Sequence, residues 1–279
     1  MDKLIRLAFE EDIGSGDITT ESSVPEDYIG HGQIIAKESL ILAGLEMAKK
    51  VFSFYETDIF FKEYFQDGDR VKNGETIIYV KGNLRNLLTC ERIALNFLQR
   101  LSGIATHVRS YIDELGDNKT LKILDTRKTI PGWRFLEKYA VKAGGAYNHR
   151  MGLYDQVLIK DNHIAVCGGV KNAVEKTRKN SSKILIEVEV KDFEQLKEAL
   201  DAKANVIMLD NMNYQQICEA VKIINKKALV EVSGNITKEN LKLFAQTGVD
   251  FISIGALTHS ARFVDMSMRI SEEKPASSC

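Results

Sequence analysis

Four apolar runs recur at a 22-residue period: Lys183-Ile184-Leu185-Ile186-Glu187-Val188-Glu189, Asn205-Val206-Ile207-Met208-Leu209-Asp210-Asn211, Lys227-Ala228-Leu229-Val230-Glu231-Val232-Ser233 and Val249-Asp250-Phe251-Ile252-Ser253-Ile254-Gly255. Each leads into a stretch with helical spacing of its apolar residues, over 192–203, 213–226, 237–247 and roughly 260–269. A strand followed by a helix in so short a span is a compact βα unit. Upstream, residues 121–125 and 156–160 supply two more runs with longer insertions, so at least six parallel strands alternate with helices. The pattern predicts an α/β fold closed as a (β/α) barrel, with an open doubly wound sheet as the second choice. No Gly-x-Gly-x-x-Gly follows any run, which argues against a dinucleotide site.

In a βα barrel the chemistry gathers at the C-terminal ends of the strands. Read in order, those ends are Asp125-Thr126-Arg127-Lys128-Thr129, Lys160-Asp161-Asn162-His163, Glu187-Val188-Glu189, Asp210-Asn211, Ser233-Gly234-Asn235 and Gly255-Ala256-Leu257-Thr258-His259. Between the first two lies Gly144-Gly145-Ala146-Tyr147-Asn148-His149-Arg150. One strand-end cation is ordinarily a solvated rim residue, but Arg127, Lys128, His149, Arg150 and Lys160 together point to an anionic ligand, and arginine suits bidentate grip on carboxylate or phosphate. Glu189 and Asp210 end adjacent strands of the repeat; they can pair with those cations, or hold Mg²⁺ together with substrate phosphates. Small residues at Ser233, Gly234, Asn235, Gly255 and Ala256 leave backbone N–H groups open where this fold commonly holds a phosphate. Period alone leaves both Asp210 and Asn211 as candidates to face the site, because strands in a barrel are staggered. His163 and His259 read as structural, and no Ser-His-Asp or Cys-His arrangement is legible.

The first third has a different texture. A short amphipathic helix over 4–11 and a turn-rich stretch over 12–17 precede alternating strands at 32–37 and 75–80. The glycines of Asp67-Gly68-Asp69-Arg70-Val71-Lys72-Asn73-Gly74 suit tight hairpins in a small antiparallel sheet. From 84 to 115, Ala94, Leu98, Leu101, Ala105, Val108, Ile112 and Leu115 make one apolar helix stripe, which Ser102-Gly103 is expected to break or kink. The tail from Ser271 reads as a frayed end.

Composition narrows the function classes. In 279 residues, 38 Lys and Arg balance 39 Asp and Glu, which excludes a protein built to coat nucleic acid or an anionic membrane. No apolar run is long enough to span a membrane, and no signal-type stretch opens the chain. Cys90, Cys167, Cys218 and Cys279 are widely spaced with no Cys-x-x-Cys pair, which fits reduced thiols in the cytoplasm and gives a structural zinc no support.

Several of these motifs, with others, resemble one family. Glu91-Arg92, Leu95-Asn96-Phe97-Leu98-Gln99 and Leu101-Ser102-Gly103-Ile104-Ala105-Thr106 are similar to the central helix of the quinolinate phosphoribosyltransferases. So are Asp125-Thr126-Arg127-Lys128-Thr129-Ile130-Pro131-Gly132, Asn148-His149-Arg150-Met151-Gly152-Leu153, Ile159-Lys160-Asp161-Asn162-His163, and the later strand ends through Gly255-Ala256-Leu257-Thr258. The match runs from about residue 12 to 270.

The resemblance implies an N-terminal α/β sandwich domain over 1–105, with 270–279 packing on it, and an incomplete (β/α) TIM-like barrel over 106–269. It implies a homodimer in which each sandwich domain caps the partner's barrel. The implied reaction, a step of NAD biosynthesis, joins quinolinate to phosphoribosyl pyrophosphate with Mg²⁺, giving nicotinate mononucleotide, pyrophosphate and CO₂. By similarity Arg92 reaches the neighbouring subunit's site, and Arg127, Thr129, His149, Arg150 and Lys160 hold quinolinate. Lys128, Glu189 and Asp210 serve the ribose, the pyrophosphate and its metal, with Lys160 also in the catalytic set. Ser233, Gly234, Asn235, Gly255 and Ala256 cradle the 5′-phosphate; many relatives carry glycine where Asn235 stands. The rival readings are a nicotinate-using or molybdenum-operon-type relative, a Schiff-base lyase using Lys160 and a non-catalytic binding protein. The sequence gives no physical reason for Trp133 directly after Pro131-Gly132.

Overall fold

The computed structural model describes residues 2–116, 120–180 and 184–272. In chain order the elements are α1 (Asp2–Asp12), α2 (Ile18–Ser23), β1 (Ile29–Ala36), β2 (Leu40–Ile41), α3 (Leu45–Phe52), β3 (Phe60–Glu63), β4 (Arg70–Val71), β5 (Thr76–Asn83) and α4 (Leu84–Leu115). They continue with β6 (Lys122–Leu124), α5 (Arg134–Ala143), β7 (Val157–Ile159), α6 (Asp161–Cys167), α7 (Val170–Asn180), β8 (Ile186–Val190), α8 (Phe193–Asp201) and β9 (Val206–Asp210). The last are α9 (Tyr214–Ile224), β10 (Leu229–Ser233), α10 (Lys238–Ala245), β11 (Phe251–Ser253), α11 (Ala256–His259) and β12 (Met266–Glu272).

The chain forms two compact units. The first holds the chain through Arg109, the insert Pro131–Gly145 and the chain from Ala261. Its four-stranded antiparallel sheet has the order β12-β1-β5-β3, with β2 and β4 paired as a separate ribbon. The stripe of α4 is the core of this unit: Ala94, Leu98, Leu101, Ala105 and Val108 are fully buried.

Ser102 and Gly103 do not break α4, which runs unbroken through them. They are instead where other segments come closest. The Ser102 hydroxyl donates to Ala43 O and accepts from Ala43 N, and a Cβ on Gly103 would overlap the backbone carbonyl of Arg262. Trp133 stacks on Phe97 of α4, with ring centroids 5.0 Å apart.

The end of the chain departs from the sequence reading. Residues 260–269 do not form a fourth long helix; α11 is one turn, and β12 follows it. Ser271 is not frayed but paired with His31, within a register running from Ala36↔Met266 to Gly30↔Glu272. Met266, Met268 and Ile270 alternate with Ser267, Arg269 and Ser271, a period-2 strand pattern that a helix-period reading passes over. The first unit therefore takes back the chain from Ala261, not only from 270, and also owns α5. Residues 273–279 lie outside the described ones, as does Lys183.

The second unit carries six parallel strands in the order β6-β11-β10-β9-β8-β7. All six match the runs read from the sequence. Tyr147 extends the β6 edge through a parallel bridge to Leu124, and among the described residues nothing pairs it with β7. The barrel is accordingly incomplete, open between those two edges. Apolar residues of the intervening helices are buried, among them Val174, Leu196, Ile217 and Leu241.

The pleat settles which residues share a face. Glu189 pairs with Met208, and Ser233 pairs with both Asp210 and Ser253. Successive side chains of a strand point to opposite faces, so Glu189, Met208, Asp210, Ser233 and Ser253 fall on one face, with Lys160 and Gly255 just past the ends of β7 and β11. Asn211 leaves the strand with φ +55°, a left-handed conformation.

Candidate active site

The C-terminal ends of the six strands surround one cavity of about 740 Å³ in the second unit. Its wall follows the sheet order. Lys160 follows β7, Glu189 and Asp210 come from β8 and β9, and Ser233 and Gly255 come from the ends of β10 and β11. Arg127 and Lys128 follow β6, and His149 and Arg150 follow the Tyr147 edge. The cations thus sit on both sides of the barrel's open seam, the carboxylates on two middle strands, and the small residues on the next two.

Of the residues expected here, the structure brings together Arg127, Lys128, His149, Arg150, Lys160, Glu189, Asp210, Ser233, Gly234, Asn235, Gly255 and Ala256. It does not bring in Thr129, whose N–H closes a tight turn onto Arg127 O at 2.9 Å. Arg92 is an exposed residue of α4 in the first unit and does not line the cavity.

Each functional side chain is held by its local chain. Buried Asp125 accepts from the Asn148 amide at 2.6 Å and the His149 N–H at 2.9 Å, which fixes the turn that carries His149 and Arg150. The backbone N–H of Arg150 donates to His149 Nδ1 at 2.7 Å. With Nδ1 accepting, the ring proton of neutral His149 is on Nε2. That atom faces Glu187 at 3.2 Å and Glu231 at 3.5 Å. His149 therefore turns its nitrogens toward its supports while its ring borders the cavity.

Arg150 is largely buried. Burial, and then the neighbouring Arg127 guanidinium, pull its pKa below the ordinary arginine value. Two cations forced this close, one of them poorly hydrated, make a site that an anion relieves. Lys160 forms an ion pair with Glu189. The Schiff-base reading needs a desolvated amine, whereas this side chain is 40% exposed and ion-paired.

Gly255 lets two groups close in. A Cβ there would stand 2.9 Å from Lys128 Cδ and 3.3 Å from His259 Nε2. Thr258 Oγ1 donates to Lys128 O at 2.7 Å, tying the lysine's backbone to α11.

Beneath the cavity lies a layer the sequence reading passed over. Glu187 and Glu231 are two residues before Glu189 and Ser233 on the same face, and both are buried. Gln156 Nε2 donates to Glu187 at 2.8 Å, and the Ser253 hydroxyl donates to Glu231. Burial foremost, then the Glu187 carboxylate, push the Glu231 carboxyl up to about 8. Leu158, Met208 and Ser253 line the cavity as well, as do Thr126, Asn211, Thr237 and His259. Counting back two residues from each strand end would have found Leu158, Met208 and Ser253, whereas His259 and Asn211 depend on how the chain turns after the strand.

Comparison with known proteins matches the whole chain to one family. The model of the quinolinate phosphoribosyl transferase N-terminal domain matches residues 17–102, and that of the C-terminal domain matches 104–269. A probable nicotinate-nucleotide pyrophosphorylase [carboxylating] of Bacillus subtilis is 45% identical over 96% of this chain and 92% of its own. The solved structure of NadC from Streptococcus pyogenes superposes with a TM-score of 0.94 at 40% identity, covering 98% of this chain and 97% of that one. The nicotinate-nucleotide pyrophosphorylase of Francisella tularensis gives 0.92 at 42% identity, covering 96% and 95%. A full-length match of this depth, on a barrel whose strand ends carry the cations, carboxylates and small residues described above, shows that the chain belongs to the quinolinate phosphoribosyltransferase family.

Proposed function

We infer that this chain transfers the phosphoribosyl group of phosphoribosyl pyrophosphate to the nitrogen of quinolinate with loss of CO₂, giving nicotinate mononucleotide and pyrophosphate in NAD biosynthesis. The observation that carries the reading is the single cavity where Arg127, Lys128, Arg150 and Lys160 meet Glu189, Asp210 and the small-residue ends of β10 and β11. A dicarboxylate needs the arginines, and a pyrophosphate and a 5′-phosphate need the remaining donors.

Arg127 and Arg150 flank the barrel seam and bind the two carboxylates, with Lys160 opposite them across the seam. The backbone around Ser233, Gly234, Asn235, Gly255 and Ala256 receives the 5′-phosphate, and Lys128, set against Gly255, receives charge leaving with the pyrophosphate. Two carboxylates opening on one cavity, Glu189 and Asp210, are oxygen donors of the hard type that Mg²⁺ prefers alongside substrate phosphates. When bound, that ion neutralises charge on the pyrophosphate. Decarboxylation leaves the electron pair of the broken C–C bond at the ring carbon, which the quaternised ring nitrogen and the fixed cations stabilise until a proton from water completes nicotinate mononucleotide. Catalysis in this account is positional and electrostatic, with no protein nucleophile.

We further propose a homodimer in which Arg92 serves the partner's cavity; its exposure on α4, outside its own chain's cavity, supports this. A cytoplasmic location agrees with the free thiols of Cys90, Cys167 and Cys218. No helix among the described residues is long and apolar enough to cross a membrane.

Incubation with phosphoribosyl pyrophosphate, Mg²⁺ and either quinolinate or nicotinate tests the reading. The expected outcome is one CO₂ and one mononucleotide per quinolinate consumed, and no turnover of nicotinate. Mononucleotide formed from nicotinate, or ligand binding without pyrophosphate release, overturns it.

A further inference from the structure

Asn211 sits at the turn after β9 with φ +55°, and its backbone N–H and both ends of its side-chain amide are engaged. Its backbone N–H donates to Ser233 O at 2.9 Å. Its side-chain Nδ2 donates to Asp210 Oδ2 at 2.8 Å, and its Oδ1 accepts from Asn235 Nδ2 at 3.1 Å. Reversing the amide would set oxygen against carboxylate and nitrogen against nitrogen, so the orientation is set from both ends.

Gly234, at φ +96°, is the reason this fits: a Cβ there would overlap Asn211 Oδ1 and stand 2.7 Å from Asn211 Cγ. Asn235, itself at φ +53°, passes the connection on. Its carbonyl accepts from Asn240 Nδ2 at 2.9 Å, and Asn240 Oδ1 accepts the Thr237 N–H at 2.8 Å, at the start of α10. Two side-chain amides in series, those of Asn211 and Asn235, therefore join the Asp210 carboxylate to the segment expected to receive the 5′-phosphate, and Asn240 holds the backbone of Asn235. Hydrogen bonds in such a chain polarise and orient one another.

We propose that Asn211 is a positioning residue that couples the phosphate loop of residues 233–235 to the Asp210 carboxylate, so that seating the 5′-phosphate aligns Asp210 for the pyrophosphate end of the same substrate. The proposal rests on the functional reading above. It separates two roles for one position: building the loop, or linking the loop to Asp210. A residue that only builds the loop affects every ligand carrying a 5′-phosphate. A coupling residue affects chiefly the ligand that spans both ends, because the coupling free energy is expressed only when both are occupied.

The test uses calorimetric binding of phosphoribosyl pyrophosphate and of ribose 5-phosphate, each with Mg²⁺, together with steady-state kinetics. For Asn211→Ala, affinity for phosphoribosyl pyrophosphate should fall about tenfold, the scale of one hydrogen bond to a charged group. Ribose 5-phosphate should lose less than about threefold and the quinolinate KM should stay within about twofold, because neither ligand spans both ends. Asn235→Gly keeps a residue suited to its left-handed backbone and so guards against a folding failure. It should weaken phosphoribosyl pyrophosphate about threefold, and the double variant should be no weaker than Asn211→Ala alone. Equal losses for the two ligands, unchanged binding of phosphoribosyl pyrophosphate, or additive losses in the double variant would each overturn the coupling role. A wild-type chain that binds ribose 5-phosphate but turns over no quinolinate overturns the functional reading instead. One that binds neither ligand overturns both.

Discussion

Glu231 is the residue whose energetics differ most from its sequence appearance. In the strand Leu229–Ser233 it looks like one more charge near a strand end, yet it is buried against Glu187, His149 and Ser253. With its carboxyl at about 8 in the folded state and near 4.5 when unfolded, the folded chain holds a proton between those values that the unfolded chain has released. The unfolded state binds fewer protons there, so stability falls as pH rises from 4.5 towards 8, by at most about 1.4 kcal/mol per pH unit from this group. Below 4.5 its contribution is fully present. Urea unfolding at pH 5, 6, 7 and 8 should show wild type losing stability relative to Glu231→Gln across that window. Parallel curves for the two proteins would contradict the assignment. The parity of the strand places Glu231 on the cavity face, but nothing local in the sequence says that a second carboxyl from β8 meets it there.

At the scale of elements, α4 shows how a local rule is overridden. Ser102-Gly103 reads as a helix break, because glycine in a helix interior costs about 1 kcal/mol relative to alanine. Tertiary approach explains its presence: the chain at Arg262, just before β12, passes so close that a methyl has no room. Gly103→Ala, stabilising in an isolated helix, should therefore destabilise this protein by about 1–3 kcal/mol, the usual cost of overpacking. Denaturant melting measures it, and a gain in stability would refute the close approach. The same contact bears on the one large misreading. The fourth βα unit of the repeat stops after a single turn, Ala256–His259, and the chain then contributes β12 to the other unit's sheet. Repeat periodicity predicts another helix; the alternation of Met266, Met268 and Ile270 predicts the strand. Strand pairing with β1 over seven residue pairs decides between them.

For the whole molecule, the cavity belongs to one unit and Arg92 to the other. If Arg92 serves a partner's cavity, then Arg92→Ala and Lys128→Ala damage different halves of a shared site. Each variant alone should be nearly inactive. Mixed and allowed to exchange subunits, they should recover about a quarter of wild-type activity, because half the dimers are hybrids with one intact site of two. No recovery, with subunit exchange verified by mass, would rule out the shared site.

The sequence alone determined the six parallel strands, the long helix of residues 84–115 and most of the cavity's chemistry, from Arg127 and Lys128 through Gly255. These are legible because strand and helix periods are local, and because a barrel brings all its strand ends to one place whatever its details. Tertiary structure alone decided that Asp210 shares the strand face of Ser233 while Asn211 lines the cavity from the turn after β9, that Glu187 and Glu231 form a buried layer beneath it, and that Met266–Glu272 joins the first sheet. Each of those outcomes depends on inter-strand register and on which surfaces meet, and both are set by packing between residues far apart in the chain.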